Sequence, residues 1–572
     1  MDTHDTNDTD GKTLESLPPL ILRMVLSYFD GFGERLVVSL VNKRLFVNRN
    51  KYLTFIDTKA YLGPFKHNAL IKLNLNSYYD IISKDFITNC RSADVDLKSY
   101  VKDNDIFDVE GLKHDLNMTN LREVYFSNHK EEGLHPLSEA HPQWHAINEM
   151  LYELVERGVT LSLKVEGHPF PLEKVPLSSL VLEDCQGAQL QQVHFPRSLT
   201  YLKLCKHSCI LDHILPDGLR ILDLTRVHFK FHRHAWFAPN SLPRRLETIL
   251  LSGAMKQRIE PDTFPSSLTT LELRHVYGES DFSYPLNGVL PPSITYLNMS
   301  SAYEEYRHDL TDLPISLTRM HLPRWFQQKL HHPPLENLHV HCTVPRGHSF
   351  PNLTKLRVSS LERINELDFS LFPNLNRLTI DRGWFTIKTS SLPMSQLRHT
   401  SLSFDNTSYV QWQVEIDNKV PFGIEKLELG SCNFQNVQPG SLPKSITRLV
   451  LWRAANLRPG HIPSSVTTLE LHNYRTNGLN VYGLPPSVQN LTLIDIRDSV
   501  EIIRRLPPSV ISVTVGRNAK HSIKLQRLDD QLFLLCPFDD VDTGDHSNVM
   551  MSVKECCFMD IKAIAAKLEL LS

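Results

Sequence analysis

The chain has 572 residues, of which 41% are hydrophobic, and its formal net charge is -3 at pH 7. This content allows a large core and excludes wholesale disorder, and the nearly balanced charge gives no general attraction to nucleic acid or to anionic membranes. The nine scattered cysteines exclude a dense disulfide framework, and no run of about 18 apolar residues is present that could span a membrane. We therefore expect a cytoplasmic or nuclear location and no nucleic-acid or membrane partner.

The first 55 residues are predicted to contain a polar tail and two helices. Residues 1–13 are acidic and lack the apolar stretch of a signal peptide, so we expect them to be disordered. One short helix is predicted from Leu17 to Phe29, with prolines in its first turn, and a second from Glu34 to Phe46. Apolar residues recur at helical spacing along both. They are Ile21, Leu22, Val25, Leu26 and Phe29 in the first helix, and Leu36, Val37, Leu40, Val41 and Leu45 in the second.

Residues 14–55 resemble an F-box, whose pattern is Leu-Pro-x-Glu-Ile/Leu-Leu followed by a Leu-x-x-Leu-Ser-x-Val-x-Lys-x-Trp helix. Lys43 and Arg44 also match, whereas Leu20 replaces the usual Glu, and Leu45 and Phe46 stand where Trp is common. The resemblance implies binding to the Skp adaptor of a cullin–RING ubiquitin ligase. The implied adaptor-binding residues are Leu17, Pro18, Leu20, Ile21, Leu22, Val25, Leu26, Phe29, Leu36, Leu40 and Val41. The alternative is a helical cap that covers the first unit of a repeat array.

A repeated pattern, Leu-Pro-x-Ser-Leu/Ile-Thr-x-Leu-x-Leu, dominates residues 175–515, and residues 56–174 contain fainter, irregular units of the same kind. Clean copies recur every 20 to 22 residues, a period typical of an α/β leucine-rich-repeat-like solenoid with a parallel β-sheet on its concave face. Because side chains alternate along a strand, both leucines enter the core and the residue between them faces solvent. The serine or threonine beside the proline is expected to satisfy backbone groups within the bend. Polar residues between the leucines include Lys203, Asp223, Glu272, Glu428 and Glu470.

The repeat is similar to FNIP repeats, a leucine-rich-like family of the social amoeba type, over roughly residues 175–515. The family pattern places Phe-Asn-x-x-Ile-x-x-Gly before Leu-Pro-x-Ser-Leu-Thr, and the best match runs from Phe434 to Thr447. Many copies lack the Phe-Asn portion. The resemblance implies a repeat scaffold for protein–protein interaction.

Several residue groups have the chemistry of a site, but a structural role is favoured for each. Cys205, Cys209 and His213 could belong to a zinc site, yet a second tight ligand pair is absent. Cys185 and Cys432 follow a Leu-x-Leu strand at a position that turns often use. Two histidine clusters lie where the repeats lengthen and could project as contact loops, although scattered exposed histidines are the commoner explanation. They are His228, His232 and His234 with Trp236, and His331, His332, His339, His341 and His348.

The chain contains no Gly-rich phosphate loop, no His-Glu-x-x-His and no Gly-x-Ser-x-Gly. We therefore predict a protein that is not an enzyme, with no catalytic, cofactor-binding or metal site. The repeat also resembles that of bacterial ubiquitin-ligase effectors, whose separate catalytic domain carries an essential cysteine, a role open to Cys557. Only 57 residues follow Val515, too few for such a domain.

Residues 516–572 are instead predicted to form a closing cap that contains an amphipathic helix, with a partner-binding segment as the alternative. The apolar residues of this helix would be Val553, Cys556, Cys557, Met559, Ile561, Ile564 and Leu568.

Two functions follow from the sequence. The leading hypothesis is a substrate-recognition subunit of an SCF-type cullin–RING ligase, in which the F-box-like helices bind the adaptor and the concave face or the loops bind an unknown protein substrate. The alternative is a non-catalytic scaffold with no link to ubiquitin.

Overall fold

The computed structural model describes a large part of the chain, in segments. The described residues are 17–26, 32–53, 59–62, 72–73, 76–78, 80–81, 91–102, 106–128, 137–166, 172–183, 194–205, 214–227, 237–252, 258–274, 282–300, 306–324, 326–341, 349–358, 369–380, 387–388, 401–402, 414–415, 425–429, 438–452, 457–472, 484–496, 499–518, 521–529, 532–536, 555–564 and 566. The predicted disordered tail, residues 1–13, lies outside them.

Three helices begin the described chain: α1 (Pro19–Leu26), α2 (Phe32–Leu40) and α3 (Lys43–Tyr52). The prediction of a single helix from Glu34 to Phe46 was wrong, because Asn42 divides it. The backbone of Asn42 is extended, with φ -155° and ψ 167°, and its side-chain oxygen accepts a hydrogen bond from the Leu45 backbone N–H at 2.8 Å. An N-cap of this kind satisfies one of the free N–H groups at the start of a helix, so a new helix begins at residue 43.

The rest of the described chain is mostly short strands. In chain order they are β1 (Lys59–Leu62), β2 (Lys72–Leu73), β3 (Ser92–Asp96), β4 (Val101–Lys102), β5 (Ile106–Phe107), β6 (Glu123–Asn128), β7 (Thr160–Glu166), β8 (Ser179–Glu183), β9 (Tyr201–Cys205), β10 (Ile221–Arg226), β11 (Thr248–Ser252), β12 (Thr270–Arg274), β13 (Tyr296–Asn298), β14 (Arg319–His321), β15 (Asn337–Val340), β16 (Lys355–Val358), β17 (Arg377–Ile380), β18 (Ile387–Lys388), β19 (Ser401–Leu402), β20 (Val414–Glu415), β21 (Lys426–Leu429), β22 (Arg448–Trp452), β23 (Thr468–His472), β24 (Asn490–Ile494), β25 (Ser512–Asn518), β26 (His521–Arg527), β27 (Leu532–Cys536) and β28 (Glu555–Asp560). Further helices are α4 (Val109–Asp115), α5 (Trp144–Glu156) and α6 (Ser499–Arg504), and short 3-10 helices span Asn76–Tyr78, Leu97–Tyr100 and Phe369–Leu371. Every described helix is too short or too polar to cross a lipid bilayer.

The strands form two long sheets. The first has 14 strands in the order β1, β3, β6 and then β7 to β17 consecutively, and its pairs are parallel throughout. The second has 10 strands in the order β19, β21 to β28, and finally β2. The small pairs β18–β20 and β4–β5 complete the described strands. This architecture confirms the predicted repeat solenoid with a parallel sheet, preceded by a small helical unit.

The two leucines of each Leu-x-Leu point into one continuous core. Leu202 and Leu204 of β9 are fully buried, while Lys203 between them is partly exposed. The register pairs Leu202 with Leu180 on one side and Leu222 on the other, so equivalent leucines stack from coil to coil (a coil being one repeat unit). Each coil therefore obtains its buried surface from its neighbours, as in other solenoids.

The serine of the repeat links neighbouring coils, which the sequence did not predict. The backbone closes the bend itself, as where Leu268 N–H donates to the Pro265 carbonyl at 3.0 Å. The serine hydroxyl instead donates to a carbonyl one coil earlier. The observed pairs are Ser198 to Leu177, Ser267 to Leu246 and Ser465 to Ile446, each at 2.7 Å, together with Ser293 to Leu268 and Ser316 to Ile294 at 2.6 Å. The expected role within the bend was thus wrong for these serines, whereas Ser441, just before Leu442 and Pro443, does donate within its own bend, to the Gln438 carbonyl at 2.7 Å.

The C-terminal residues close the array with strands. Each of the strands β25, β26 and β27 pairs antiparallel with the strand that follows it in the chain. β28 also pairs in parallel with β2, which places Lys72 beside Glu555. The prediction of an amphipathic helix was wrong for residues 555–560, which form β28, whereas residues 561–564 and 566 after them are helical. Val553 and Leu568 of the predicted helix lie outside the described residues. Phe533 on β27 is the register partner of Met559, so strand pairing fixes this segment as extended. Strand pairing therefore joins the C-terminal end of the array to an N-terminal segment.

Candidate functional site

The helical unit α1–α3 has its own small core, which includes a residue from the far end of the chain. The members of this core are Leu22, Leu26, Leu36, Leu45, Tyr52, Leu53, Tyr78, Ile81 and Leu534. Leu534 lies on β27 and is fully buried. The helical unit is therefore fixed against the C-terminal strands as well as against Tyr78 and Ile81, which follow it.

Polar contacts complete this small core. The Tyr52 hydroxyl donates to the Leu45 carbonyl at 2.8 Å, and burial raises the pKa of Tyr52 to about 12. The Ser39 and Tyr78 hydroxyls lie 2.6 Å apart. The Arg49 guanidinium covers the Phe46 ring, with 4.1 Å from its central carbon to the ring centroid, and donates to the Ser77 carbonyl. These contacts hold α3 in a fixed orientation.

The residues predicted to bind the adaptor divide into two groups. Leu22, Leu26 and Leu36 are covered by the chain's own side chains. Phe29 lies outside the described residues, and those that remain at the surface or its edge are Leu17, Pro18, Leu20, Ile21, Val25, Leu40 and Val41. An adaptor could contact this second group without displacing the core.

One face of α1 is exposed and apolar. Leu20 is 68% exposed and Met24 is 56% exposed, and Ile21 beside them is also exposed. Residues four apart lie on the same side of a helix, so Leu20 and Met24 are neighbours. Val41 and Val47 are further exposed aliphatic residues of the helical unit. The sequence reasoning omitted Met24, which the spacing from Leu20 could have revealed, and Val47, for which no pattern gave a signal.

The outward side of the long sheets carries the polar residues predicted between the leucines, although Asp223 is buried there among its neighbours rather than facing solvent. Lys203 Nζ lies 3.1 Å from Asp223 Oδ2 on the adjacent strand, and Arg274 Nε lies 2.9 Å from Glu272 Oε2. These pairs order the surface in the region of β9 to β12.

A second ordered group lies on β21 to β23. The rings of Trp452 and His472 stack with centroids 4.0 Å apart, and Trp452 Nε1 donates to Glu428 Oε1 at 2.7 Å. Burial opposes ionisation of Glu470, but the His472 ring 3.5 Å away and the Arg448 guanidinium together hold the pKa of Glu470 below its usual value. Rings and charges held in this way can contact a partner at little cost in side-chain entropy.

Histidine and tyrosine rings meet on β13 to β15. The Tyr296 and His321 centroids are 5.4 Å apart, and those of His321 and His339 are 4.7 Å apart, edge to face in both cases. The Arg319 guanidinium lies 5.1 Å from the Tyr296 centroid. Burial lowers the pKa of His321.

The structure places His339 and His332 of the predicted histidine clusters outside loops that project into solvent, whereas His331 is exposed between strands and His341 lies in a bend after β15. His339 lies on the sheet surface, whereas His332 is buried and its Nε2 lies 2.7 Å from the Leu317 carbonyl. That carbonyl is the acceptor that a repeat serine would use, so His332 takes the place of the serine in this degenerate coil. His228, His232, His234, Trp236 and His348 lie outside the described residues.

Cys205 is a core residue in the structure. It is buried, and burial raises the pKa of its thiol to about 11, so it is not a thiolate at neutral pH. Cys209, His213, Cys185 and Cys432 lie outside the described residues. Within the described segments, no three His, Cys, Asp or Glu residues are grouped as metal ligands would be.

The chain resembles known repeat proteins. A family model described as "FNIP Repeat" matches residues 433–474, which include β22 and β23. A solved structure, CroV588, described as a novel circular LRR protein, has 18% sequence identity and a TM-score of 0.40, with 72% of this chain and 70% of that chain covered. No curated protein matches this chain. Residues 433–474 therefore carry a FNIP repeat, within an array of repeated strands that the structure shows along most of its described residues.

Proposed function

We propose that this chain is the substrate-recognition subunit of an SCF-type cullin–RING ubiquitin ligase. In this proposal helices α1–α3 bind the Skp adaptor, and the solvent-facing side of the repeat sheets binds a protein substrate. The observation that carries the proposal is the exposed apolar face of α1, formed by Leu20, Ile21 and Met24. Their position in a segment that resembles an F-box gives the face a specific partner.

The physical basis is the cost of leaving such a face in water. Burial of apolar surface contributes roughly 25 cal/mol per Å², so covering a Leu, an Ile and a Met favours association. The opposite side of α1 is anchored by Leu22 and Leu26 in the small core, which keeps the exposed face in a fixed orientation. A preorganised face loses little entropy on binding.

Titration of the full-length chain with purified Skp adaptor tests the proposal. The double variant Leu20→Asp/Met24→Asp should weaken adaptor binding at least tenfold, because it places two charges in the apolar contact. Ile315→Asp is the matched control, since Ile315 is 83% exposed but lies in a repeat far along the chain, and it should bind as the wild type does. Circular dichroism would verify that all three proteins are folded. A folded wild-type chain that does not bind the adaptor refutes the proposal.

A second candidate function is a repeat scaffold with no link to ubiquitin. It is favoured by Leu534, which inserts from β27 into the core of the helical unit. In this case α1–α3 serve to close the array, in the manner of the terminal caps that solenoids require. This alternative is supported if the folded chain does not bind the adaptor while the contacts of α1–α3 with β27 keep the array closed.

A further inference from the structure

We propose that the outward side of β14–β17 binds a short, extended, acidic segment of a protein partner. This surface, here called the basic face, consists of Arg319, His321, His339, Lys355, Arg357 and Arg377. This inference names the chemistry that the repeats recognise. It rests on the proposed function for one point, that the partner is the substrate.

The register of four adjacent strands assembles the basic face. One row across the strands is Arg319, Asn337, Lys355 and Arg377, and the next outward row is His321, His339, Arg357 and Thr379. The residues between the two rows, such as Leu338 and Leu356, are buried in the core. All eight outward positions are thus basic or neutral. With about 4.8 Å between strands, the rows span about 14 Å.

Like charges lie side by side on this face. Lys355 is the direct register partner of Arg377. Like charges placed directly opposite each other destabilise a sheet. In the described part of the chain no ion pair neutralises Lys355 or Arg377, and both are exposed. Earlier in the same sheet the row that continues into His339 and Arg357 carries opposite charges, as in the Lys203–Asp223 pair.

Acidic residues limit the extent of the positive surface. Glu272 lies two strands before β14, Glu336 directly precedes β15, and Glu428 and Glu470 lie in the second sheet. A long polyanion such as nucleic acid would extend beyond the basic face and meet these carboxylates. A width of about 14 Å fits about four residues of an extended peptide, at about 3.3 Å per residue. A short run of Asp or Glu therefore fits better than a nucleic acid.

The side chains available are suited to carboxylates. A guanidinium can donate two parallel hydrogen bonds to one carboxylate, which a single ammonium group cannot do. Three arginines and one lysine are distributed over the four strands, so acidic groups at alternate positions of an extended peptide would each lie near a basic side chain. The Tyr296 ring, packed against His321 and covered by Arg319, borders the face on the β13 side.

The test is binding of a labelled peptide, Gly-(Glu-Ser)×2-Gly, whose four central residues match the width of the face, to the full-length chain. Binding is measured by fluorescence anisotropy, with the corresponding Gln peptide as the uncharged probe. We expect binding of the Glu peptide, weakening as salt is raised, and at least tenfold weaker binding of the Gln peptide. The double variant Lys355→Glu/Arg377→Glu should reduce affinity for the Glu peptide at least tenfold, and Lys355→Gln/Arg377→Gln should reduce it by less.

The matched control is Arg244→Glu/Arg245→Glu, which makes the same change in net charge at two exposed arginines before β11. It should bind within twofold of the wild type. Equal loss in both charge-reversed proteins would overturn the proposal, as would no binding by the wild type. Tighter binding of a single-stranded RNA with the same number of charges would overturn it in favour of nucleic acid. The adaptor titration at α1 uses different residues, so a failure here is distinguishable from a failure of the proposed function.

Discussion

The hydrogen bonds between the repeat serines and the preceding coil should contribute measurably to stability. Ser267 donates to the Leu246 carbonyl and Ser465 to the Ile446 carbonyl, each at 2.7 Å and partly buried. The double variant Ser267→Ala/Ser465→Ala removes both bonds and leaves two carbonyls without these donors. The core leucines are untouched, so the change isolates the link between coils.

The expected loss follows from the geometry. A hydrogen bond of this kind contributes about 1 kcal/mol net to stability, and a buried acceptor left without a donor costs somewhat more. The two serines lie in turns that precede strands of different sheets and share no partner, so their effects should add to about 2 kcal/mol. For a protein that exposes a large surface on unfolding, this corresponds to a decrease of about 0.5 M in the urea midpoint.

Each of these serines has a neighbour that serves as a control. Ser266 and Ser464 directly precede them in sequence and are exposed, and among the described contacts neither makes a side-chain hydrogen bond. Ser266→Ala/Ser464→Ala changes composition in the same way and should leave the urea midpoint nearly unchanged. Hydrogen exchange of the peptide covering β12 should accelerate only in the Ser267 variant. If the two double variants unfold at the same urea concentration, the serine links do not stabilise the array.

Two further predictions concern coils that depart from the repeat. Gly218 occupies the serine position, and a Cβ there would lie 3.5 Å from the Leu199 carbonyl and 3.0 Å from that of Arg197. Gly218→Ser should therefore stabilise the chain by about 0.5–1 kcal/mol in urea unfolding, because the new hydroxyl can reach the Leu199 carbonyl and the unfolded chain has fewer conformations to lose. The close contact with the Arg197 carbonyl reduces this gain. A lower urea midpoint than that of the wild type would contradict the prediction. Burial lowers the pKa of His332 in the folded chain below its value of about 6.5 in the unfolded chain. As the pH falls below about 6.5, the unfolded chain therefore binds a proton before the folded chain does, and the free energy of unfolding decreases. In His332→Asn this part of the acid dependence should disappear from stability measured between pH 7.5 and 5, and an unchanged slope would show that His332 does not contribute.

Local patterns predicted the regular part of the fold because each coil is specified by its own residues. The Leu-x-Leu spacing determines which side chains enter the core, and the leucines of β9 and β12 are buried as that spacing requires. The same reasoning failed where two local tendencies compete. Residues 34–46 have a helical apolar pattern, but the N-cap at Asn42 divides them. Residues 555–560 are apolar enough for a helix, yet pairing with β27 makes them a strand.

The candidate surfaces were predicted only in part. The resemblance of residues 14–55 to an F-box indicated Leu20 and Ile21, which the structure leaves exposed, but it could not separate them from Leu22 and Leu26, which the chain itself covers. The basic face carried no motif at all. Its residues come from four coils, and Arg319, Lys355 and Arg377 fall in one row only through the register of the sheet.

The sequence by itself determined that this protein is a solenoid. A short repeat with two leucines per strand can bury those leucines only when neighbouring repeats stack on one another. The tertiary structure decided how the array is closed. The pairing of β2 with β28 and the insertion of Leu534 among α1–α3 join segments from opposite ends of the chain. Such contacts depend on the accumulated geometry of all the coils between them, which no local pattern of residues encodes. For the same reason, the surfaces available to partners could be located only in the folded chain.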